Sequence, residues 1–392
     1  MDEDRAAATL RRLAAATAGR DLPLAALDLG ALAANAAALA GRAAGTPIRL
    51  ATKSVRCRRV LADVLARPGY SGLMAYSLAE ACWLARQGFA DVLVGYPTAD
   101  AAALRELAAD PGLLAAITLM VDDEAQLAYL RRVAARPVAP VRVCLDVDAS
   151  LRIGPLHLGV RRSPVRTPAQ AAGLAATVLA AGDLALVGLM FYEAQLAGLP
   201  DGSPAVRWMK RRSAAELDVR RAAVVRAVRA AGARPEFVNS GGTGSLAYSA
   251  AGPAVTEVTA GSGLYHPALF DGYRSFTGEP ALFFALPVVR RPARGIATAF
   301  GGGYVASGPA GASRLPRPAG GLRLLRGEGA GEVQTPVRGR DARGLRIGDA
   351  VWFRHAKAGE LLERFDRVHL VAPDGTVTAT VPSYRGEGRN FG

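Results

Sequence analysis

Lys53 is the residue in this chain best suited to covalent chemistry. Only three of its 48 basic residues are lysines (Lys53, Lys210 and Lys357); the rest are arginines. An arginine cannot lose its proton and attack a carbonyl carbon, whereas a lysine amine can. In Thr46-Pro-Ile-Arg-Leu-Ala-Thr-Lys53, Pro47 breaks the preceding element, and Ile48 and Leu50 mark a short buried strand. Val60, Leu61, Val64 and Leu65 then recur at helical spacing. Lys53 therefore falls in the turn between a strand end and a helix, where α/β folds place reacting groups. The competing reading is a lysine held in an ordinary ion pair.

Two glycine turns suit an anion. Asn239-Ser-Gly-Gly-Thr-Gly-Ser245 and Ala260-Gly-Ser-Gly-Leu-Tyr265 each follow a strand-like run. Their glycines let backbone N–H groups approach phosphate oxygens, and their hydroxyls add donors. Ser240, Gly241, Gly242 and Thr243, with Gly261, Ser262, Gly263 and Tyr265, are the candidate contacts. The bland alternative is a pair of tight turns chosen for backbone geometry. In Asp146-Val-Asp148-Ala-Ser-Leu-Arg152, the two carboxylates leave one face of a strand and Arg152 follows its end. Arg152 could meet a phenolate oxygen, a ring nitrogen or a carboxylate, or pair at the surface. Tyr192 closes another strand-like run. Of four histidines, His157 lies in a basic loop, His266 beside a glycine turn and His369 in a terminal strand. His355 sets a titratable imidazole two residues before Lys357, and is the candidate acid–base group.

The elements around these residues alternate. Apolar runs are expected as strands at Ile48–Thr52, Gly72–Tyr76, Asp91–Gly95, Ala116–Val121, Val141–Val147, Ala185–Phe191, Glu236–Asn239 and Val255–Ala260. Amphipathic Ala/Leu/Arg patterns between them, such as Leu78–Gln87 and Ser213–Ala231, are expected as helices. Eight strands with intervening helices predict a (β/α)8 barrel of class α/β, with an open doubly wound sheet as the alternative. Leu22–Asp28 reads as an earlier strand, and after about Gly278 glycines, prolines and short apolar runs predict a β-rich domain. The expected division is residues 1–28 joining the β domain, 29–278 the barrel and 279–392 the β domain.

At 392 residues and 51% hydrophobic content the chain can bury a large core, and no apolar run has the length and purity of a membrane span. Cys57, Cys82 and Cys144 lack pair spacing, which fits a reducing compartment and gives no zinc signature. The acidic start, Met-Asp-Glu-Asp-Arg, is unlike a secretory signal, so a cytoplasmic location is expected. A net charge of +14 raises the question of nucleic acid. The arginines are spread over many helices without aromatic interleaving, so no nucleic-acid partner is expected. A basic surface would still draw in anionic small molecules.

Taken together, these residues resemble the fold-type III pyridoxal-phosphate enzymes: alanine racemase and, closer here, the D-threonine aldolase and D-serine dehydratase group. Leu27-Asp28-Leu29 with Asn35 is similar to the family's entry strand and first helix. The resemblance implies pyridoxal 5'-phosphate as cofactor and Lys53 as its Schiff-base lysine. It implies Arg152 at the cofactor's phenolic oxygen, with Ser240–Thr243 and Gly261–Tyr265 around the phosphate. It further implies a small D-β-hydroxy amino acid as substrate, cleaved or dehydrated, with Lys53 and His355 as catalytic residues; Lys357, which the family pattern does not supply, is this chain's own catalytic candidate, standing in for a metal's charge, or a lysine turned to solvent. A homodimer whose second domain reaches the partner's barrel mouth is the implied assembly.

The chain departs from the pattern after His355. Aldolases and dehydratases of this group carry Cys or Asp two residues beyond the metal-binding His, where this chain has Lys357. An ammonium group there would repel a divalent ion, so no metal is expected. An alanine-racemase activity would instead need a tyrosine as opposite-face base, for which Tyr304 and Tyr384 are the candidates. A cofactor-binding protein without catalysis is a third reading.

Overall fold

The structure is a computed structural model and describes residues 3–391. It divides into two compact units. Leu39–Lys53 and Val64–Gly261 build one; Ser54–Asp63, Ser262–Asn390 and the N-terminal residues up to Ala38 build the other.

The first strand of the chain, β1 (Leu24–Asp28), belongs to the second unit. The first unit carries β2 (Ile48–Ala51), β3 (Tyr70–Ala75), β4 (Val92–Val94), β5 (Ile117–Val121) and β6 (Val141–Asp146). A hairpin of β7 (Leu151–Ile153) and β8 (Leu156–Leu158) precedes β9 (Leu184–Phe191), β10 (Phe237–Ser240) and β11 (Glu257–Ala260). Apart from the hairpin these strands form a closed barrel. Neighbours pair in parallel, and β11 closes onto β2 with Val258 opposite Ile48. The closed alternative wins over the open sheet. Short β-branched and aliphatic runs suit strands covered on both faces, and every residue of β2, β4, β5, β10 and β11 is buried. Leu93, Met120, Cys144, Val187, Met190 and Phe237 pack together as one core cluster.

Because the strands are parallel, all their carboxyl ends open on one mouth. The long helix Pro204–Ala230 starts earlier than its apolar pattern suggests, because Pro204 occupies the first turn, where its missing N–H costs nothing.

The second unit continues with β12 (Leu282–Ala293), β13 (Ile296–Phe300), β14 (Arg317–Pro318), β15 (Arg323–Leu324) and β16 (Gln334–Arg338). It ends with β17 (Ala350–Arg354), β18 (Arg367–Val371) and β19 (Val377–Pro382). These form a mainly antiparallel sheet in the order β15-β16-β13-β12-β1-β18-β19, with β17 pairing both β12 and β14. β1 lies between β12 (Leu24 opposite Ala285) and β18 (Ala25 opposite Val368). Leu13, Leu24, Ala26, Phe283, Ala285, Trp352 and Val371 make its core.

The compact units do not break at residues 28 and 278. Backbone bonds tie the stretch after β11 to the β sheet: Ala268 N–H to His355 O (3.0 Å), Leu269 N–H to Ala356 O (3.1 Å) and Ala281 N–H to Tyr265 O (3.1 Å). Tyr384 N–H likewise holds Arg56 O at 2.9 Å. Among the described residues no helix is long and apolar enough to cross a membrane.

Candidate active site

Each reactive group of the barrel sits just beyond a strand. Lys53 lies in the short 3-10 turn Thr52–Ser54 after β2. Tyr96 follows β4, Asp122 follows β5, Asp146 ends β6, and Tyr192 and Glu193 follow β9. The Lys53 ammonium is exposed and donates to the Tyr96 hydroxyl, with Nζ 5.1 Å from the ring centroid. Arg162, in the loop after β8, lays its guanidinium over the same ring at 5.5 Å and over Tyr192 at 5.1 Å. Burial raises the Tyr192 phenol above its usual value, while Arg162 pulls it down. The Asp146 carboxyl is pushed up to about 7 by burial and by Asp122, with Arg162 opposing.

The turn after β10 is built around a buried carboxylate. Gly241 has φ of 98°, a conformation that favours glycine. Its N–H donates to Glu193 Oε2 at 3.1 Å, and Ser240 Oγ donates to the same oxygen at 2.9 Å. Ser245 Oγ donates to Glu193 Oε1 at 3.0 Å, and Ser249 Oγ donates there too. A Cβ on Gly242 would stand 3.0 Å from the Ala197 methyl, so the chain passes where little but glycine fits. Thr243 is fixed through its carbonyl, which accepts from Arg42 at 2.7 Å. Arg42 itself is pushed down to about 10 by burial.

Not every expected contact points the same way. Arg152 sits on the β7–β8 hairpin with its guanidinium on Asp148 Oδ2 at 2.7 Å. Burial would raise Asp148, but donors from Ser150, Arg166 and Arg152 hold it below the usual carboxylate value. Arg162, and not Arg152, shares a ring with Lys53. Ser240 is fully buried, and its single hydroxyl proton is taken up by Glu193 Oε2 or Phe191 O, both 2.9 Å away. Tyr265 is fully buried, donating to Val55 O at 3.0 Å. These two hydroxyls are spent inside the protein.

In the second unit His355 is buried against Tyr265, edge to face at 6.4 Å. Its Nδ1 lies 3.1 Å from Leu282 O, which accepts a proton only from Nδ1–H. Nε2 therefore carries the lone pair, and it has no hydrogen-bond partner. Burial, reinforced by Arg354, pushes this imidazole down to about 3. Lys357 donates to Ser307 Oγ at 2.8 Å and stands 3.6 Å from Glu360 Oε1. Of the tyrosines considered as a second base, Tyr384 is fully buried and Tyr304 packs on Phe284 and Phe365. Among the described residues no three His, Cys, Asp or Glu side chains gather as a metal site.

An exposed amine at a strand end, a guanidinium against the same tyrosine and a glycine turn at the same mouth fit a carbonyl-bearing cofactor with an anionic tail. The sequence reading missed Tyr96 and Arg162. Gly95-Tyr96-Pro97 directly after an apolar run was the available signal for the tyrosine. For Arg162, one arginine among many, there was none.

A parallel barrel with a lysine after its first strand and glycine turns after its last two defines the barrel class of pyridoxal-phosphate enzymes. More particularly, residues 27–268 match the alanine racemase N-terminal domain family, and the chain belongs to it. A curated relative, the 3-hydroxy-D-aspartate aldolase of Paracoccus denitrificans (strain Pd 1222), is 28% identical over 197 residues. That match spans 50% of this chain and 46% of the relative, about half its length. Among solved structures, D-threonine aldolase from Filomicrobium marinum superposes with a TM-score of 0.79 at 24% identity, covering 93% of this chain and 95% of that one. D-threo-3-hydroxyaspartate dehydratase from Delftia sp. HT23 gives 0.70 at 21% identity, covering 93% and 98%. These two share the fold.

Proposed function

We propose that this protein is a pyridoxal-phosphate-dependent lyase that cleaves or dehydrates a small β-hydroxy D-amino acid. The observation that carries this is the exposed Lys53 amine at the carboxyl end of β2, on the Tyr96 ring that Arg162 also covers. Family membership and the names of the relatives support the same class. When bound, the cofactor supplies an electron sink for the negative charge that develops at Cα.

The protein's own groups do the rest. Lys53 holds the cofactor through Nζ and, once the substrate amine takes its place, can move a proton at Cα. Tyr96 orients that nitrogen through its hydroxyl. The turn Gly241–Thr243, with Gly261, Ser262 and Gly263, receives the phosphate. His355, neutral and with its lone pair on Nε2, takes the proton of the β-hydroxyl. Lys357 supplies fixed positive charge in a reaction that needs no metal.

The test is capture followed by turnover. Borohydride should fix the pyridoxyl group on Lys53, and D-threonine or D-serine should yield aldehyde plus glycine or keto acid plus ammonia. Label on Lys210 or Lys357, or no retained cofactor, overturns the proposal. An inverted enantiomer as the sole product would make the enzyme a racemase instead.

A further inference from the structure

We propose that the β unit carries an anion site of its own, a cavity between Arg20, Arg364, Arg367 and His369 that binds a phosphorylated small molecule with an aromatic body. The inference uses none of the residues of the lyase reading and stands apart from it.

The cavity has a volume of about 660 Å³ and is lined by residues of this unit alone. Its cations come from two parts of the chain. Arg20 follows the N-terminal helix Glu3–Ala16, whereas Arg364, Arg367 and His369 lie on the approach to β18 and along it. Arg367 and His369 are two residues apart on the strand and so share one of its faces. Among the described residues none of the three arginines has a carboxylate within ion-pair distance. Two aspartates also line the cavity, but Asp366 is engaged by Arg385 at 2.9 Å, which leaves Asp21 alone against three guanidinium groups. Burial, with Arg20 adding to it, holds the His369 imidazole below its ordinary value, so Arg20 and His369 stand close enough to repel. Thr380, opposite His369 on β19, places its hydroxyl 2.8 Å from Nδ1; when it donates there, the ring proton lies on Nε2 as a further donor.

Part of the lining is apolar. Tyr304 and Phe365 meet edge to face at 5.8 Å, and Pro23 and Leu24 join them. Arg364 lies over the Tyr304 ring, 5.9 Å from its centroid. Such stacking fixes a long side chain without using its N–H donors. Guanidinium groups gathered on one cavity suit phosphoryl oxygens, which they grip bidentately. The volume falls in the range of about 300–1,000 Å³ that accommodates a whole small ligand, more than a lone inorganic anion fills. A phosphoryl group on an aromatic body meets both the charge and the apolar lining. Among the described residues the lining holds no lysine, so no covalent capture of an aldehyde enters. A nucleotide and surplus phosphorylated cofactor share this chemistry, and the probes below separate them.

The full-length protein, loaded with cofactor, is titrated calorimetrically with ADP, adenosine, pyridoxine 5'-phosphate and pyridoxine while the bound chromophore is followed. At least one of the two phosphate esters should bind about 10-fold or more tightly than its unphosphorylated partner, the range of charge-assisted pairs, with cofactor absorbance unchanged. The double variant Arg20→Gln/Arg367→Gln should remove this advantage, and added salt should shrink it. Arg323→Gln, at an exposed arginine of the same unit outside the cavity, should leave it intact. A larger advantage for ADP assigns the cavity to a nucleotide; a larger one for the pyridoxine ester assigns it to surplus cofactor. Esters that bind no better than their unphosphorylated partners overturn the inference. So does a loss in Arg323→Gln as large as in the double variant, since general surface charge would then be the cause. Displacement of the chromophore by the esters overturns it too, because the anion would then occupy the barrel turn. Failure of the lyase reading shows itself separately, as the absence of any borohydride label on Lys53.

Discussion

Glu193 and Gly241 are joined by a hydrogen bond of 3.1 Å in which a buried carboxylate accepts the N–H of a glycine at φ of 98°. The same carboxylate collects the hydroxyls of Ser240, Ser245 and Ser249. It thereby sets the shape of the turn proposed to hold the cofactor phosphate.

Glu193→Ala should strand the Gly241 N–H, leave the three serine hydroxyls to their backbone acceptors, and cost about 1–3 kcal/mol of stability. Denaturant titration measures this. The same variant should lose much of any preference for pyridoxal phosphate over unphosphorylated pyridoxal, measured by equilibrium binding, with Glu193→Gln intermediate. A folded Glu193→Ala protein with unchanged stability and unchanged preference would contradict this account of the turn.

Acid should weaken the fold earlier than carboxylate protonation alone would. Burial, with Arg354 adding to it, pushes both His266 and His355 down to about 3, well below an unfolded histidine. The unfolded chain therefore binds more protons than the folded one once pH falls below about 6.5. The stability present above that value is lost as pH drops toward about 3, by up to ~1.4 kcal/mol per pH unit for each histidine. Urea midpoints at about pH 7 and about pH 5 report the slope, which His355→Gln should reduce. Equal slopes in the two proteins would sink this explanation.

Catalysis should survive prolonged chelation. His355 offers one lone pair, and the cation two residues on is tied to Ser307 and Glu360. A metal site needs three or four deprotonated donors. Lys357→Cys should not improve a metal-free assay, and His355→Ala should abolish turnover while leaving the cofactor bound. Loss of activity with chelator and its return with manganese or zinc would show that the ligands lie elsewhere.

By resemblance to the fold-type III enzymes the protein should be a homodimer. Light scattering at micromolar concentration decides this, and a fully active monomer counts against it.

The sequence by itself determined the barrel and the place of its lysine. Pro47, the apolar pair Ile48 and Leu50, and the helical spacing of Val60 to Leu65 are local signals, and strand burial makes them strong. The glycine turns were legible for the same reason: backbone that must pass close to other groups has to be glycine, as at Gly241 and Gly242. Which residues serve those turns was not legible. Ser240 and Tyr265 look like donors in a sequence, yet both hydroxyls are consumed inside the protein. The Tyr96–Arg162–Tyr192 stack joins the ends of two strands to a loop far along the chain, and only closure of the barrel brings them to one mouth. Periodicity reports which face of an element is buried; it carries no information about which long polar side chains meet once the faces have packed.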